Sequence, residues 1–324
     1  MSKYLLTGAA GFIGWRTAAE LLDVGHTVVG VDNLNDYYDV RVKDFRLRNL
    51  KGRPGFHFHQ MDIEDRAALE PIFKAHHFDA VINLAARAGV RYSMENPHVY
   101  LTTNAHGTLN LLEMMRQHGV KQFVLASTSS LYAGQSMPFS ETLPVNTPIS
   151  PYAASKKAAE VMAYSYHHLY KLDVTVLRYF TVYGPAGRPD MSVFRFIKWI
   201  DEGKEIELFG DGSQGRDFTY VDDIAHGTVL AAQKPLGYEI INLGGGNNPV
   251  SINRLIELIA QDLGKPARRR EAPFHQADMM ETWADITKAG RLLGWTPTIS
   301  LEEGVRRSVA WYRANQAWLR DVKL

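Results

Sequence analysis

The first 32 residues constrain the fold more than any other part of the chain. Lys3–Thr7 reads as a short buried strand, and Gly8-Ala-Ala-Gly11-Phe-Ile-Gly14 follows it directly. Helical periodicity then runs across Phe12–Leu22, and a second apolar run, Thr27–Val31, ends in Asp32. A strand, glycine loop, helix, strand and terminal acid within about 30 residues make a dinucleotide-binding unit. The glycines let the backbone approach a pyrophosphate lying on the helix N-terminus. Asp32 is suited to accept hydrogen bonds from an adenosine ribose and to repel a 2′-phosphate. No Arg occupies positions 33–35, so the expected cofactor is NAD rather than NADP.

A second stretch, Ser150-Pro151-Tyr152-Ala153-Ala154-Ser155-Lys156, supplies candidate chemistry. Ser150 is a plausible N-cap, Pro151 fits the first helical turn, and the run to Tyr170 is rich in helix formers. On that helix Tyr152 and Lys156 share a face. A phenol titrates near pH 10, and a nearby ammonium favours its phenolate. Lowering it by about three units takes about 4 kcal/mol, within reach of one Lys plus a cationic cofactor in a dry site.

Between these stretches, Phe56–Met61 and Asp79–Leu84 read as strands, with Ala85 and Ala86 at the C-terminal end of the second, where ligands of open α/β sheets sit. Val99–His118 reads as a helix and Lys121–Ala126 as a central strand, with Ser127-Thr128-Ser129-Ser130 leaving its end. Residues 33–55 look like an insertion made basic by Arg41, Lys43, Arg46 and Arg48, for which a solvated helix face is the simplest expectation. Asp173–Tyr179 reads as a strand, 184–191 as a Gly/Pro loop, and Ser251–Leu263 as a helix capped by Ser251 and stopped by Gly264. Arg268-Arg269-Arg270 reads as a solvated run. The paired histidines His76–His77 and His167–His168 lack a suitably spaced third ligand, so no metal is expected. With a net charge of +1 there is no footprint for nucleic acid or a membrane surface. Absence of cysteine excludes thiolate chemistry and disulfides. No signal-peptide core or membrane-length apolar run appears, so a cytoplasmic location is expected.

The G-x-x-G-x-x-G spacing with Tyr152 and Lys156 downstream resembles the extended short-chain dehydrogenase/reductase family, essentially from end to end. The resemblance implies a doubly wound, Rossmann-type parallel α/β fold with a smaller C-terminal substrate lobe. Residues 1–178 plus 220–246 would form the NAD-binding part, and 179–219 plus 247–324 the UDP-sugar lobe. It implies that Tyr152 is the base, that Lys156 also holds the nicotinamide ribose, and that Thr128 bonds the reacting sugar oxygen. Around NAD it places Gly8, Gly11, Phe12, Ile13, Gly14, Asp32, Asn33, Asp62, Ile63, Leu84, Ala85, Ala86 and Asn104. Around the sugar nucleotide it places Ser129, Ser130, Thr181, Arg188, Phe209 (uracil), Arg216 (diphosphate) and Asp278 (uridine). Ala133 stands where the family usually has Gly, which bears on loop geometry. Family members also pair helices 99–118 and 151–170 across a two-fold axis, implying a homodimer.

Within the family, the string DNLNDYYDVRVKDFRL resembles UDP-glucuronate 4-epimerases. Dehydratases look like T-D-E and uronate decarboxylases like T-S-E where this chain has Thr128-Ser129-Ser130, so no carboxylate can eliminate water or direct decarboxylation. The resemblance therefore implies NAD-dependent C4 epimerisation of a UDP-sugar, UDP-glucuronate to UDP-galacturonate. UDP-glucose/UDP-galactose 4-epimerisation is the alternative, and a catalytically silent NAD-binding scaffold a third reading. Thr181 and Arg188 separate the first two. Neutral-sugar enzymes resemble F-N-P at 180–182, whereas here Arg188 either binds a C6 carboxylate or only braces its turn.

Overall fold

The computed structural model of the chain describes residues 1–274 and 279–324. The first half alternates strand and helix: β1 (Lys3–Thr7), α1 (Phe12–Asp23), β2 (Thr27–Asp32), α2 (Val40–Arg48), β3 (Phe56–Gln60), α3 (Arg66–Ala75) and β4 (Ala80–Asn83). Then come α4 (Val90–Glu95), α5 (Pro97–Tyr100), α6 (Gly107–His118), β5 (Gln122–Thr128), α7 (Pro151–Tyr170) and β6 (Asp173–Tyr179). The remainder comprises β7 (Thr181–Tyr183), α8 (Ser192–Asp201), β8 (Glu205–Phe209), β9 (Gly215–Arg216), β10 (Phe218–Tyr220), α9 (Val221–Gln233) and β11 (Tyr238–Leu243). It closes with β12 (Val250–Ser251), α10 (Ile252–Leu263), β13 (Arg268–Ala272), α11 (Thr287–Leu293), α12 (Leu301–Ala314) and α13 (Gln316–Leu319).

Seven strands form one parallel sheet in the order β11-β6-β5-β4-β1-β2-β3. The order reverses between β1 and β4, which opens a crevice at their C-terminal ends. Side chains alternate between faces as the strand period requires. Tyr4 and Leu6 join α1, α9 and Trp295 on one face, while Leu5 joins α3, α6 and α7 on the other. The glycine loop is set by close contact: a Cβ on Gly14 would stand 2.0 Å from the Gly8 carbonyl oxygen. A third core, built from α8, β8, α10 and α12, lies beyond the sheet. No helix among the described residues is long and apolar enough to cross a membrane.

One expectation needs correction, and two others hold with added detail. The basic insertion is not a solvated helix throughout. Arg41 and Arg48 are exposed, but Lys43 and Arg46 are 4% and 0% exposed. Val42 and Leu47, 0% and 3% exposed, share the buried face of α2 and carry Lys43 and Arg46 in with them, while Phe45 packs beside that face on Trp15, Trp311 and Trp318. The helix read over 99–118 is present, with Leu101–His106 wound as a π segment between α5 and α6. Arg268–Arg270 keep exposed side chains, yet their backbone pairs in parallel with β8, and Arg270 meets Glu207 at 3.0 Å. Ala133, by contrast, sits at φ −52°, an ordinary value for any residue, so its loop requires no glycine.

The catalytic-helix candidate α7 starts where Ser150 accepts the Ala153 N–H at 3.2 Å. It is fixed to the sheet by a buried ion pair. Arg178 on β6 donates Nε and Nη2 to Glu160 at 2.9 and 2.8 Å, and both side chains are 1% exposed. Ser127 adds a bond to Glu160 at 2.6 Å, and Arg178 also donates to Tyr132, which donates on to Asn242. Burial opposes the Glu160 charge, but Arg178 more than offsets it and holds the carboxyl below its usual range. Arg178→Met should strand that carboxylate and destabilise the fold by about 3–5 kcal/mol in urea unfolding. Replacing both partners with apolar residues should recover most of the loss.

Candidate active site

The crevice is one continuous cleft of about 770 Å³, near the upper end for ligand pockets. It runs from the glycine loop and Asp32 to Phe209 and Arg216, and every site residue anticipated from the sequence lines it except Asn104, which stands behind the wall, and Asp278, which lies outside the described residues.

At the first end, the Asp32 carboxylate accepts the N–H groups of Ala10 and Leu34 at 3.1 and 2.9 Å, which fixes it at the tip of β2. Asn33 donates to Asp62 at 2.6 Å, and Ile63 lines the wall beside them. Thr7 Oγ1 accepts the Ala85 N–H at 3.2 Å, setting the turn that carries Leu84, Ala85 and Ala86 off β4. Asn104, in the π-turn, accepts the Arg87 N–H and donates to the Arg87 carbonyl and to Ser155. It thereby clips the cofactor-side loop to α7.

At the centre, Thr128 ends β5 and shares a hydrogen bond with the Tyr152 hydroxyl. Ser130 donates its N–H to Thr128 at 3.1 Å, and Ser129 and Ser130 face the cleft. Burial raises the Tyr152 phenol above its ordinary value, while the Thr128 bond and the Arg188 charge push it down. Lys156 lies on the next turn of α7 from Tyr152. Its ammonium donates to the Ala126 carbonyl at 2.9 Å, and burial lowers it to about 8 against the pull of Glu160 one turn on.

At the far end, Thr181 starts β7 and pairs with Phe218, and Arg188 comes off the loop that follows. Arg188 donates Nε and Nη2 to Asp190 at 3.1 and 2.5 Å and Nη2 to the Ala88 carbonyl at 3.3 Å. It therefore does brace its own turn, and among the described residues Nη1 is the donor left for a ligand in the cleft. Arg216 donates to the carbonyls of Gly215 and Met280. The Phe209 carbonyl accepts from Gln214, and the Arg91 guanidinium lies 3.9 Å from the Phe209 ring centroid.

Several cleft residues escaped the sequence. Lys43 enters from α2, with Nζ 2.7 Å from the Asn35 carbonyl, and burial lowers it to about 8 beside Asp32. Arg91 and Arg195 join Arg216 at the Phe209 end. Arg195 Nε is buried with no hydrogen-bond partner among the described residues, and burial together with the Arg91 charge lowers its pKa. The one available signal was Arg91 itself, four residues after Arg87 in the stretch that follows β4. No group of three His, Asp or Glu among the described residues could hold a metal ion.

Taken together, the cleft offers ribose and adenine acceptors at one end, a hydroxyl–phenol pair at its centre and a cationic, aromatic end opposite. Comparison with known proteins agrees with this arrangement. Residues 4–244 match the NAD dependent epimerase/dehydratase family. Over all 324 residues and the full length of both chains, the sequence is 61% identical to a UDP-glucuronate 4-epimerase of Thermodesulfobacterium geofontis. The structure of a Bacillus cereus UDP-glucuronic acid 4-epimerase with UDP-glucuronic acid and NAD superposes with a TM-score of 0.91 at 37% identity, covering 97% of this chain and 99% of that one. A Thermotoga maritima UDP-glucose 4-epimerase with UDP-glucose reaches 0.88 at 34% identity, with the same coverage. The chain belongs to the NAD dependent epimerase/dehydratase family.

Proposed function

We propose that this protein is an NAD-dependent isomerase that interconverts UDP-glucuronate and UDP-galacturonate at C4 through a 4-keto intermediate. The observation that carries the reading is the meeting of Arg188 with Thr128 and Tyr152 at one point of the cleft, with Ser129 and Ser130 where other chemistries need an acid. Full-length similarity to a UDP-glucuronate 4-epimerase supports it. An intact Thr128–Tyr152 pair argues against a silent scaffold, which needs only the glycine loop and Asp32.

The residues fit NAD. The glycine loop at the start of α1 suits a pyrophosphate, and the carboxylate of Asp32, fixed by two backbone N–H groups, suits the adenosine ribose. Asn33, Asp62 and Ile63 would frame the adenine, and Lys156 the nicotinamide ribose. NAD bound there supplies reversible two-electron redox capacity at C4. Tyr152 takes the 4-hydroxyl proton and returns it after the keto sugar has turned over, while Thr128 orients the oxygen. Arg91, Arg195 and Arg216 would hold the diphosphate, with uracil at Phe209.

The C6 carboxylate falls to Thr181 and to Nη1 of Arg188. The clamp has a chemical purpose beyond affinity. The 4-keto intermediate of a uronate is a β-keto acid, which loses CO₂ when its C5–C6 bond aligns with the carbonyl π system. Holding the carboxylate from two directions prevents that alignment.

Tyr152→Phe should keep the fold and bound NAD while losing turnover by at least about 10²-fold. Near-normal epimerisation by this variant would remove Tyr152 from the mechanism. Arg188→Ala should weaken uronate transition-state binding by about 2–5 kcal/mol while barely affecting action on UDP-glucose. The remaining uronate turnover should release more CO₂ and 4-keto-pentose. Equal losses on acidic and neutral sugars would instead favour the UDP-glucose/UDP-galactose reading. Leu101, Val161, Tyr164 and Leu169 expose more than half of their surface on the α5–α7 side, which supports a homodimer through residues 99–118 and 151–170. Sedimentation should find a dimer at micromolar protein, and a monomer alone would refute it.

A further inference from the structure

The 33–48 segment, an insertion between β2 and β3, reaches Arg188 and its loop through three side chains. Arg46 is fully buried, yet among the described residues it has no carboxylate partner. Its Nε and Nη2 both donate to the Ala186 carbonyl, at 2.9 and 2.7 Å, and its Nη1 donates to the Ala10 carbonyl and to the Tyr38 hydroxyl, at 3.2 and 2.6 Å. Ala186 lies two residues before Arg188 and sits at φ +54°, a left-handed conformation that costs a residue with a Cβ. Something must hold that backbone, and the fork of Arg46 does so. The same guanidinium reaches the glycine loop at Ala10, so one side chain ties the cofactor loop to the sugar loop.

The two tyrosines of the segment act on Arg188 itself. The Arg188 guanidinium carbon is 5.5 Å from the Tyr37 ring centroid and 5.9 Å from that of Tyr38. Tyr38 is also approached by Arg46 and Lys43, at 5.4 and 5.1 Å, so its ring face stabilises three cations in a small volume. Tyr37 is held in turn by a hydrogen bond with Tyr100. Burying a guanidinium on neutral acceptors is expensive, and an apolar side chain would fill the same space without that cost. The contacts therefore point to a requirement on loop geometry rather than on packing.

We propose that the 33–48 segment is the specificity element of this protein, with Arg46, Tyr37 and Tyr38 as positioning residues that set Arg188 for the sugar carboxylate. The inference deepens the uronate reading and rests on it.

The test uses NAD-loaded protein in the Tyr152→Phe background, so that bound sugar is not turned over, and calorimetry with UDP-glucuronate and UDP-glucose. Arg46→Lys keeps the charge but loses the fork. It should weaken UDP-glucuronate by about 10- to 100-fold and UDP-glucose by less than about 3-fold. Tyr38→Phe keeps the ring and removes one bond to Arg46, so it should cost the acidic sugar alone about 3- to 10-fold. Adding Arg46→Lys to Arg188→Ala should cost no further acidic-sugar affinity, because the two act through one contact. Thermal melts and NAD content establish that each variant is folded and loaded; if Arg46→Lys does not fold, Tyr38→Phe decides. Equal losses on both sugars in either folded variant would overturn the inference. If Arg188→Ala itself fails to separate the sugars, the uronate reading falls and takes this inference with it. If Arg188→Ala separates them and the segment variants do not, only this inference falls.

Discussion

Everything that can do chemistry here is placed by one constraint, the burial of a parallel sheet on both faces. With α1 and α9 on one side and α3, α6 and α7 on the other, strand interiors have no room for polar side chains that a ligand could reach. Function is pushed to the C-terminal tips. Gly8 follows β1, Asp32 ends β2, Leu84 follows β4, Thr128 ends β5 and Thr181 lies just past β6. These tips converge at the reversal of strand order, so residues far apart in sequence meet in one cleft.

Polar groups within the sheet layer serve to hold those tips in place. Thr7 sets the turn after β4, and Asn104 ties the Arg87 backbone to Ser155 on α7. Glu160 and Arg178 join α7 to β6 beneath the Tyr152–Lys156 turn. The Thr128 and Tyr152 hydroxyls are thus carried on rigid elements, the end of β5 and the first turn of α7. Lys156 shows the same economy, since its bond to Ala126 is what aims the side chain along the cleft.

What the sequence disclosed follows from which signals are local. The strand–loop–helix unit, Asp32, the Ser150 cap and the Tyr152–Lys156 spacing depend on residues close in sequence, and each stands where the pattern puts it. Burial of Lys43 and Arg46 was invisible, because a charge on a short basic helix is solvated by default. The burial comes from distant partners: Val42 joins the core of α8, α10 and α12, and Phe45 docks on Trp311 and Trp318, nearly 270 positions downstream. The π segment was hidden too: no breaker residue marks it, and the bonds of Asn104 within it, to Arg87 and Ser155, reach outside the segment. β13 carries three exposed arginines and no alternation, so only its pairing with β8 makes it a strand. The Tyr–Lys spacing was legible while its electrostatics were not, since the Lys156 bond to Ala126 and the nearness of Arg188 are tertiary facts.

The fully desolvated Glu160–Arg178 pair has a consequence for behaviour on heating. Hydration of ions carries a strongly negative entropy, so the penalty for removing these charges from water shrinks as temperature rises, whereas apolar stabilisation levels off. The seat of α7 on β6 therefore loses less in a hot solution than one made of apolar contacts alone. The turn bearing Tyr152 and Lys156 is anchored by the interaction that gains, in relative terms, as the rest of the core begins to loosen. Salt should not change this, because at 1% exposure neither charge is within reach of mobile ions.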